Sequence, residues 1–323
     1  TYYRRVLDAQ PDHAAALAAL ERIHGEAGEW DRLYEILVRR AELAGRDDDN
    51  DTRAAYLARS AEVAEDKLHR ASDACAAHEE ILELSPADEP AARALERLYA
   101  QSERWVDLAE LFEKRLGFAD DIAVAVDYRF KLGQIWDQRL SDPERAIENY
   151  RAVLGGDSDH AGAIAALERY LDDTAVRAEA AEVLEPIYIA TQAWTKLIRI
   201  YQIRLDGAEG DHQARFILTL KVARLYEEQL EDLEQAFKWY GKVFREDPAE
   251  RAIRDQLVRL AGILDQWIEL AKIYQGLLDD VMEDSPAMLD VARLAADLYD
   301  KRLADVERAR ACYRRVLLAE PTD

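Results

Sequence analysis

The residues able to do chemistry are few, and their spacing does not bring them together. None of the six histidines falls in an HExxH or similar metal spacing. His78 occupies a column otherwise held by tyrosine and is expected to pack. His13, His24, His69, His160 and His212 are scattered and are expected at the surface or at helix caps. Cys75 and Cys312 lie 237 residues apart, too few and too separated for a disulfide framework or a zinc site. A nucleophilic thiol needs a base beside it, and no histidine spacing supplies one. In the run from Gly45 to Asp51, Asp47, Asp49 and Asp51 have the spacing of a calcium loop. Thr52 stands where that loop needs glycine, however, and Ala58 where it needs a bidentate glutamate. The run therefore reads as a solvated acidic loop, and Gly155–Asp159 as a helix stop. No metal or cofactor is expected, nor an enzyme.

Two charged columns recur. Glu65, Asp137, Glu227 and Asp300 share one register, each about one turn beyond Glu62, Gln134, Arg224 and Asp297, on a face opposite the apolar stripe. Arg22, Arg97, Arg169 and Arg259 form the second column. They make either a ladder for an acidic ligand or ion pairs to the adjacent helices, and the ion-pair reading is preferred. Phe237 and Trp239 adjoin the packing residues Tyr240 and Phe244, so a core position is preferred to an exposed aromatic patch.

The elements that must hold these columns repeat. Pro11, Pro86, Ser158, Pro248 and Pro321 align, as do Tyr3, His78, Tyr150, Tyr240 and Tyr313, in steps of 75, 72, 90 and 73 residues. Such periods mark a repeat array. Each unit of roughly 73 residues holds four helical segments in two pairs. In one kind of pair, Asp142, Asp232 and Asp305 are placed as N-caps, and Pro143 suits the first helical position. Ala74, Ala146, Ala236 and Ala309 allow the two helices to approach closely. In the other kind, Trp30, Trp105, Trp194 and Trp267 mark the turn into the second helix and are expected to be buried and structural. The step of 89 from Trp105 to Trp194 locates an extra helix near residues 172–191. Residues 1–10 read as a second helix without its partner, in a fragment of a longer protein. No strand is expected.

Composition narrows the function. Lys and Arg number 43 against 66 Asp and Glu, a net charge of −23, which repels nucleic acid and anionic membrane surfaces. No stretch reaches the roughly 18 apolar residues of a membrane span. Hydrophobic content of 49% suffices for a core, while 34% charged residues imply long solvated helix faces. The preference for arginine over lysine suggests a GC-rich bacterial genome. Compartment and oligomeric state stay open.

Leu132, Gly133 and Trp136, followed by Ala146, Tyr150 and the late Pro or Ser, resemble the tetratricopeptide repeat (TPR) family. Val222, Ala223, Tyr226, Ala236, Tyr240 and Pro248 repeat the marks, and the resemblance covers essentially the whole chain. The first kind of pair departs from the pattern by a turn one residue longer. The second has Leu33, Leu108 and Leu270 where a small residue usually follows the aromatic. The resemblance implies an all-α fold, a right-handed α-solenoid of antiparallel helix pairs over 1–323, about eight pairs plus the orphan helix. It also implies that first helices line a concave groove for peptides or proteins. The acidic column then faces that groove, giving Glu62, Glu65, Asp137, Arg224, Glu227, Asp297 and Asp300 as candidate partner-binding residues. Phe130, Ile217 and Leu220 are candidate apolar anchors, and the partner would be a basic peptide or protein. The family's basic carboxylate clamp is disfavoured, because acids stand at the corresponding places. Protein–protein interaction or scaffolding is the expected function. The alternative is a regulatory or sensor module attached to an enzyme or secretion apparatus outside this fragment.

Overall fold

The computed structural model describes residues 2–280 and 285–320, which form helices and turns and contain no strand. Pro321, the last of the proline column, lies outside them. The chain divides into two compact units, Thr1–Ile164 and Ala165–Asp323. The first unit runs α1 (Tyr2–Ala9), α2 (Ala14–Ala27), α3 (Trp30–Arg46), α4 (Asn50–Asp66), α5 (Ala71–Leu84), α6 (Glu89–Gln101), α7 (Trp105–Leu116), α8 (Ile122–Gln138) and α9 (Pro143–Gly156). The division falls inside α10 (Ala161–Tyr170). The second unit continues with α11 (Arg177–Ala190), α12 (Trp194–Gly207), α13 (His212–Arg224), α14 (Leu233–Glu246), α15 (Arg251–Leu264), α16 (Trp267–Asp280), α17 (Pro286–Lys301) and α18 (Val306–Ala319). A π-helical turn, Leu225–Gln229, extends α13. Between α9 and the helix that starts at Trp194 stand two helices, α10 and α11, where the other units have one.

The helix starts follow from the side chains present. Asp142, Asp232 and Asp305 accept from the backbone N–H groups of Arg145, Gln235 and Arg308 at 3.0, 3.0 and 3.1 Å. Each satisfies one orphan donor of the first turn. Trp30, Trp105, Trp194 and Trp267 are each the first residue of a second helix.

The turns within the pairs share a feature that the residue types do not announce. His69, Ser141, Glu231 and Ala304 hold φ between 50° and 55°, at the same place in four pairs. The next residue then reaches back. Arg70, Asp142, Asp232 and Asp305 donate backbone N–H groups to Ala64, Trp136, Tyr226 and Tyr299 at 2.8–2.9 Å. Gly28, Glu103, Gln192 and Asp265 adopt the same left-handed backbone two residues before each turn tryptophan. Only one of these eight residues is glycine, the type that accepts this region without strain.

Packing within a pair depends on a small residue facing a large one. Ala146 is fully buried and Tyr150 is 1% exposed. At Gly133 an added Cβ would lie 2.5 Å from the Tyr150 ring, so only glycine admits the ring at this distance. Phe237 and Trp239 are buried, as preferred from sequence. The turn tryptophans differ from expectation: all four are half-buried. Three are covered by a cation rather than by core. Lys67, Arg139 and Arg302 stack over Trp30, Trp105 and Trp267 at 5.6, 4.6 and 4.8 Å from the ring centroid.

Candidate partner-binding face

The acidic column lies near the C-terminal ends of α4, α8 and α17 and on the π-helical turn after α13. Its carboxylates are held in two directions. Within the pair, the Tyr150 hydroxyl donates to Asp137 at 3.3 Å and the Tyr240 hydroxyl to Glu227 at 2.7 Å. From the following helices, Arg97 donates to both oxygens of Glu65, one bond at 2.8 Å, and Arg259 donates to Glu227. The same offset of 32 residues separates acid and arginine in both cases. The arginine column thus neutralises the acidic one at these two levels, which supports its ion-pair reading. Arg22 instead pairs with Glu26 on its own helix at 3.2 Å.

Electrostatics follow this geometry. The Arg97 guanidinium holds the Glu65 carboxyl below the usual carboxylate range, against a smaller opposing effect of burial. Burial, then the hydrogen bond to Glu227, raises the Tyr240 hydroxyl well above its ordinary value. His78 stands where the other pairs have tyrosine. Its ring is half-buried, its Nδ1 has no hydrogen-bond partner among the described residues, and burial lowers its pKa.

The remaining candidates sit unequally. Glu62 and Arg224 are exposed, as are Asp297 and Asp300 on α17. Asp297 accepts from the Lys301 ammonium at 2.8 Å and the Tyr313 hydroxyl at 2.9 Å. Ile217 is 44% exposed, whereas Leu220 is half-buried. Phe130 is less free than an anchor should be. Its ring packs on Tyr150 and on His160, with centroids 6.0 and 4.5 Å apart, and blocks a Cβ at Gly162. Leu220 and Arg224 line a cleft of about 360 Å³ between α13 and α15, with Glu228 and Asp255 on its walls. In the first unit a cleft of about 590 Å³ opens between α6 and α8. Phe112, Val124 and Tyr128 give it apolar walls, and Glu96 and Asp127 share the Lys131 ammonium at 3.0 and 3.2 Å. Sequence reading missed this cleft. Its one signal was the Asp127–Lys131 pair at helical spacing.

The other reactive types stay apart from these clefts. Cys75 and Cys312 are free and buried, and burial raises both thiols. His13 and His160 cap helices by accepting from Ala16 and Ala163 N–H groups at 3.2 Å. His24, expected at the surface or at a helix cap, is buried in the last turn of α2, with Nδ1 2.5 Å from Glu29. Asp49 caps α4 by accepting from the Thr52 N–H at 3.1 Å, so the acidic run serves as a helix start. Among the described residues no group of three or more His, Cys, Asp or Glu could hold a metal, and no helix is long and apolar enough to cross a membrane.

Helix order, the repeated turns and the Gly133–Tyr150 contact define an all-α, TPR-like array of antiparallel helix pairs. No family model and no curated protein matches the chain. Among solved structures 117 chains match. The P58(IPK) TPR domain is 12% identical, over 93% of this chain and 92% of that one, with a TM-score of 0.28. The C-terminal part of a TPR repeat-containing protein from Cytophaga hutchinsonii is 14% identical over 82% and 96%, with a TM-score of 0.24. The TPR2AB domain of yeast Sti1 with pHSP90 is 15% identical over 82% and 98%, with a TM-score of 0.27. Scores this low carry no argument beyond the helix pairs seen in the chain itself.

Proposed function

We propose that the chain is a protein–protein interaction or scaffolding module that takes a basic peptide or helix along its first-helix face. The observation that carries this reading is the open cleft between α6 and α8, where apolar walls lie under carboxylates that already hold a lysine ammonium. A partner lysine or arginine can replace Lys131 between Glu96 and Asp127 while an apolar neighbour covers Val124 and Tyr128. In the second unit, the cleft with Leu220 and Arg224 offers the same mixture, with Ile217 exposed one turn away. Glu65 and Glu227 contribute chiefly by fixing Arg97 and Arg259, and Asp137 by holding Tyr150. Direct contact with a partner falls to the exposed acids Glu62, Asp297 and Asp300.

Individual surface ion pairs are worth only about 0–1 kcal/mol, so affinity requires several together with apolar contacts. The test is a peptide array probed with the purified chain. Basic peptides carrying apolar residues should bind, and binding should weaken as salt rises from ~0.1 to ~0.5 M. A variant with Glu62→Gln, Glu96→Gln, Asp127→Asn and Asp297→Asn should lose most of that binding while keeping its helical circular dichroism. Equal binding of basic and neutral peptides, or an unaffected variant, would refute the proposal.

A further inference from the structure

The second helices of two successive pairs, α14 and α16, enclose a cleft of about 360 Å³ whose chemistry opposes that of the rest of the chain. Lys238, Lys242, Arg245 and Lys272 line it, against the single carboxylate of Glu269. In a chain with 66 acids and 43 bases, four cations around one carboxylate reverse the local charge. Lys272 is the one paired cation, 2.7 Å from Glu269. Lys238, Lys242 and Arg245 are exposed and have no carboxylate partner among the described residues. Lys242 instead lies over the Trp239 ring, 3.6 Å from its centroid. Partial burial without a counter-ion lowers its pKa.

The cleft has an apolar floor, set by a close approach of the two helices. Phe237 is buried beneath it, and at Gly241 an added Cβ would lie 2.9 Å from Ile273 Cδ1. The three unpaired cations stand at i, i+4 and i+7 of α14, one face of the helix, along a stripe about 10 Å long at 1.5 Å per residue. Alternate residues of an extended peptide are spaced about 6.6 Å apart, so two or three carboxylates span that stripe.

We infer that this second-helix cleft binds an acidic peptide segment, with carboxylates on Lys238, Lys242 and Arg245 and one apolar side chain over Gly241 and Ile273. A peptide fits better than a nucleic acid, because a polyphosphate would extend past the stripe into the field of a chain with net charge −23. The cleft lies on different helices from the first-helix face and takes the opposite charge, so the two proposals stand or fall separately.

Fluorescence anisotropy tests the inference with the full chain and a fluorescein-labelled, glutamate-rich peptide carrying one leucine. The same peptide with glutamine for glutamate is the comparison. Loss of three surface ion pairs acting together weakens Kd by about tenfold or more. The glutamine peptide and the variant Lys238→Glu/Lys242→Glu/Arg245→Glu should therefore each bind at least about tenfold more weakly. A control with the same charge change at exposed cations elsewhere, Arg4→Glu/Arg5→Glu/Arg314→Glu, should bind as the parent does. All three substituted positions on α14 are exposed, and unchanged circular dichroism confirms the fold. Absence of binding by the parent, an α14 variant equal to the parent, or an equal loss in the control would overturn the inference. So would an oligonucleotide that competes as well as the peptide.

Discussion

His78→Tyr should stabilise the first unit, and the gain should grow as the pH falls. In two other pairs, the tyrosine of this column donates to the acid 13 residues earlier, Tyr150 to Asp137 and Tyr240 to Glu227. In the register of Gly133 and Tyr150, the Tyr240 pair has Ala223 and the His78 pair has Ala61, so a buried tyrosine in this column does not require glycine there. The substitution removes a buried Nδ1 that has no partner and adds a hydroxyl donor to Glu65. A hydrogen bond to a charged acceptor is worth about 1.5–3 kcal/mol. Glu65 is part-exposed and already held by Arg97, so the low end applies, about 1.5 kcal/mol. For a unit of 164 residues, each kcal/mol moves Tm by about 2–4 °C. The pH dependence has a definite sign. Burial lowers the His78 pKa, so the unfolded chain takes up a proton, near the ordinary value of about 6.5, that the folded chain refuses. That contribution to stability is present above pH ~6.5 and is lost as the pH falls through the lowered folded value. The tyrosine variant lacks it. Thermal unfolding followed by circular dichroism at pH ~7.5 and ~5.5 should show a variant that is more stable at both, with the wider gap at the lower pH. A variant no more stable than the parent, with a gap that does not widen, would refute the assignment of His78 as a mispaired member of the tyrosine column.

Tyr274 is 1% exposed, its hydroxyl has no partner among the described residues, and burial pushes its pKa up to about 12. The equivalent place seven residues after Trp105 is held by Phe112, so Tyr274→Phe should stabilise by about 1 kcal/mol in a denaturant titration, and a loss would show that the hydroxyl is satisfied. Ala304 holds φ 50° without a side chain that could help it, so Ala304→Gly should raise Tm, corresponding to about 0.5–1 kcal/mol. A lowered Tm would contradict the left-handed turn. Trp105→Ala should cost about 1–3 kcal/mol, less than the 3–5 kcal/mol of a buried tryptophan, because the ring is half-buried under Arg139. A cost of 4 kcal/mol or more, by the same titration, would place the ring in the core.

Much of the architecture was legible because it rests on local rules. Apolar spacing marks the helices, Asp142, Asp232 and Asp305 mark their starts, and the tryptophans mark the second helices. What escaped depends on which faces meet. The acid and arginine columns were both visible, yet only packing shows that Arg97 reaches Glu65 and Arg259 reaches Glu227 across 32 residues. The covering of Trp30, Trp105 and Trp267 depends on Lys67, Arg139 and Arg302, which arrive from the ends of other helices. The left-handed residues His69, Ser141, Glu231 and Ala304 carry no glycine signal, because the reach-back hydrogen bonds and the docking of the helices hold them there. Phe130 read as an anchor because its helical face is right, but His160 and Tyr150 already cover its ring. The basic stripe of α14 has helical spacing in the sequence, but only packing brings it against Lys272 and Ile273, about 30 positions away.

Hydrogen-exchange mass spectrometry of the full chain, with and without a basic peptide taken from the array, tests the central claim most directly. The account predicts slower exchange in segments covering the first helices that carry the candidate residues and clefts, α4, α6, α8, α13, α15 and α17, with the second helices α5, α9, α14 and α18 little changed. Protection confined to the second helices, or none at a peptide concentration that saturates the chain, would contradict it.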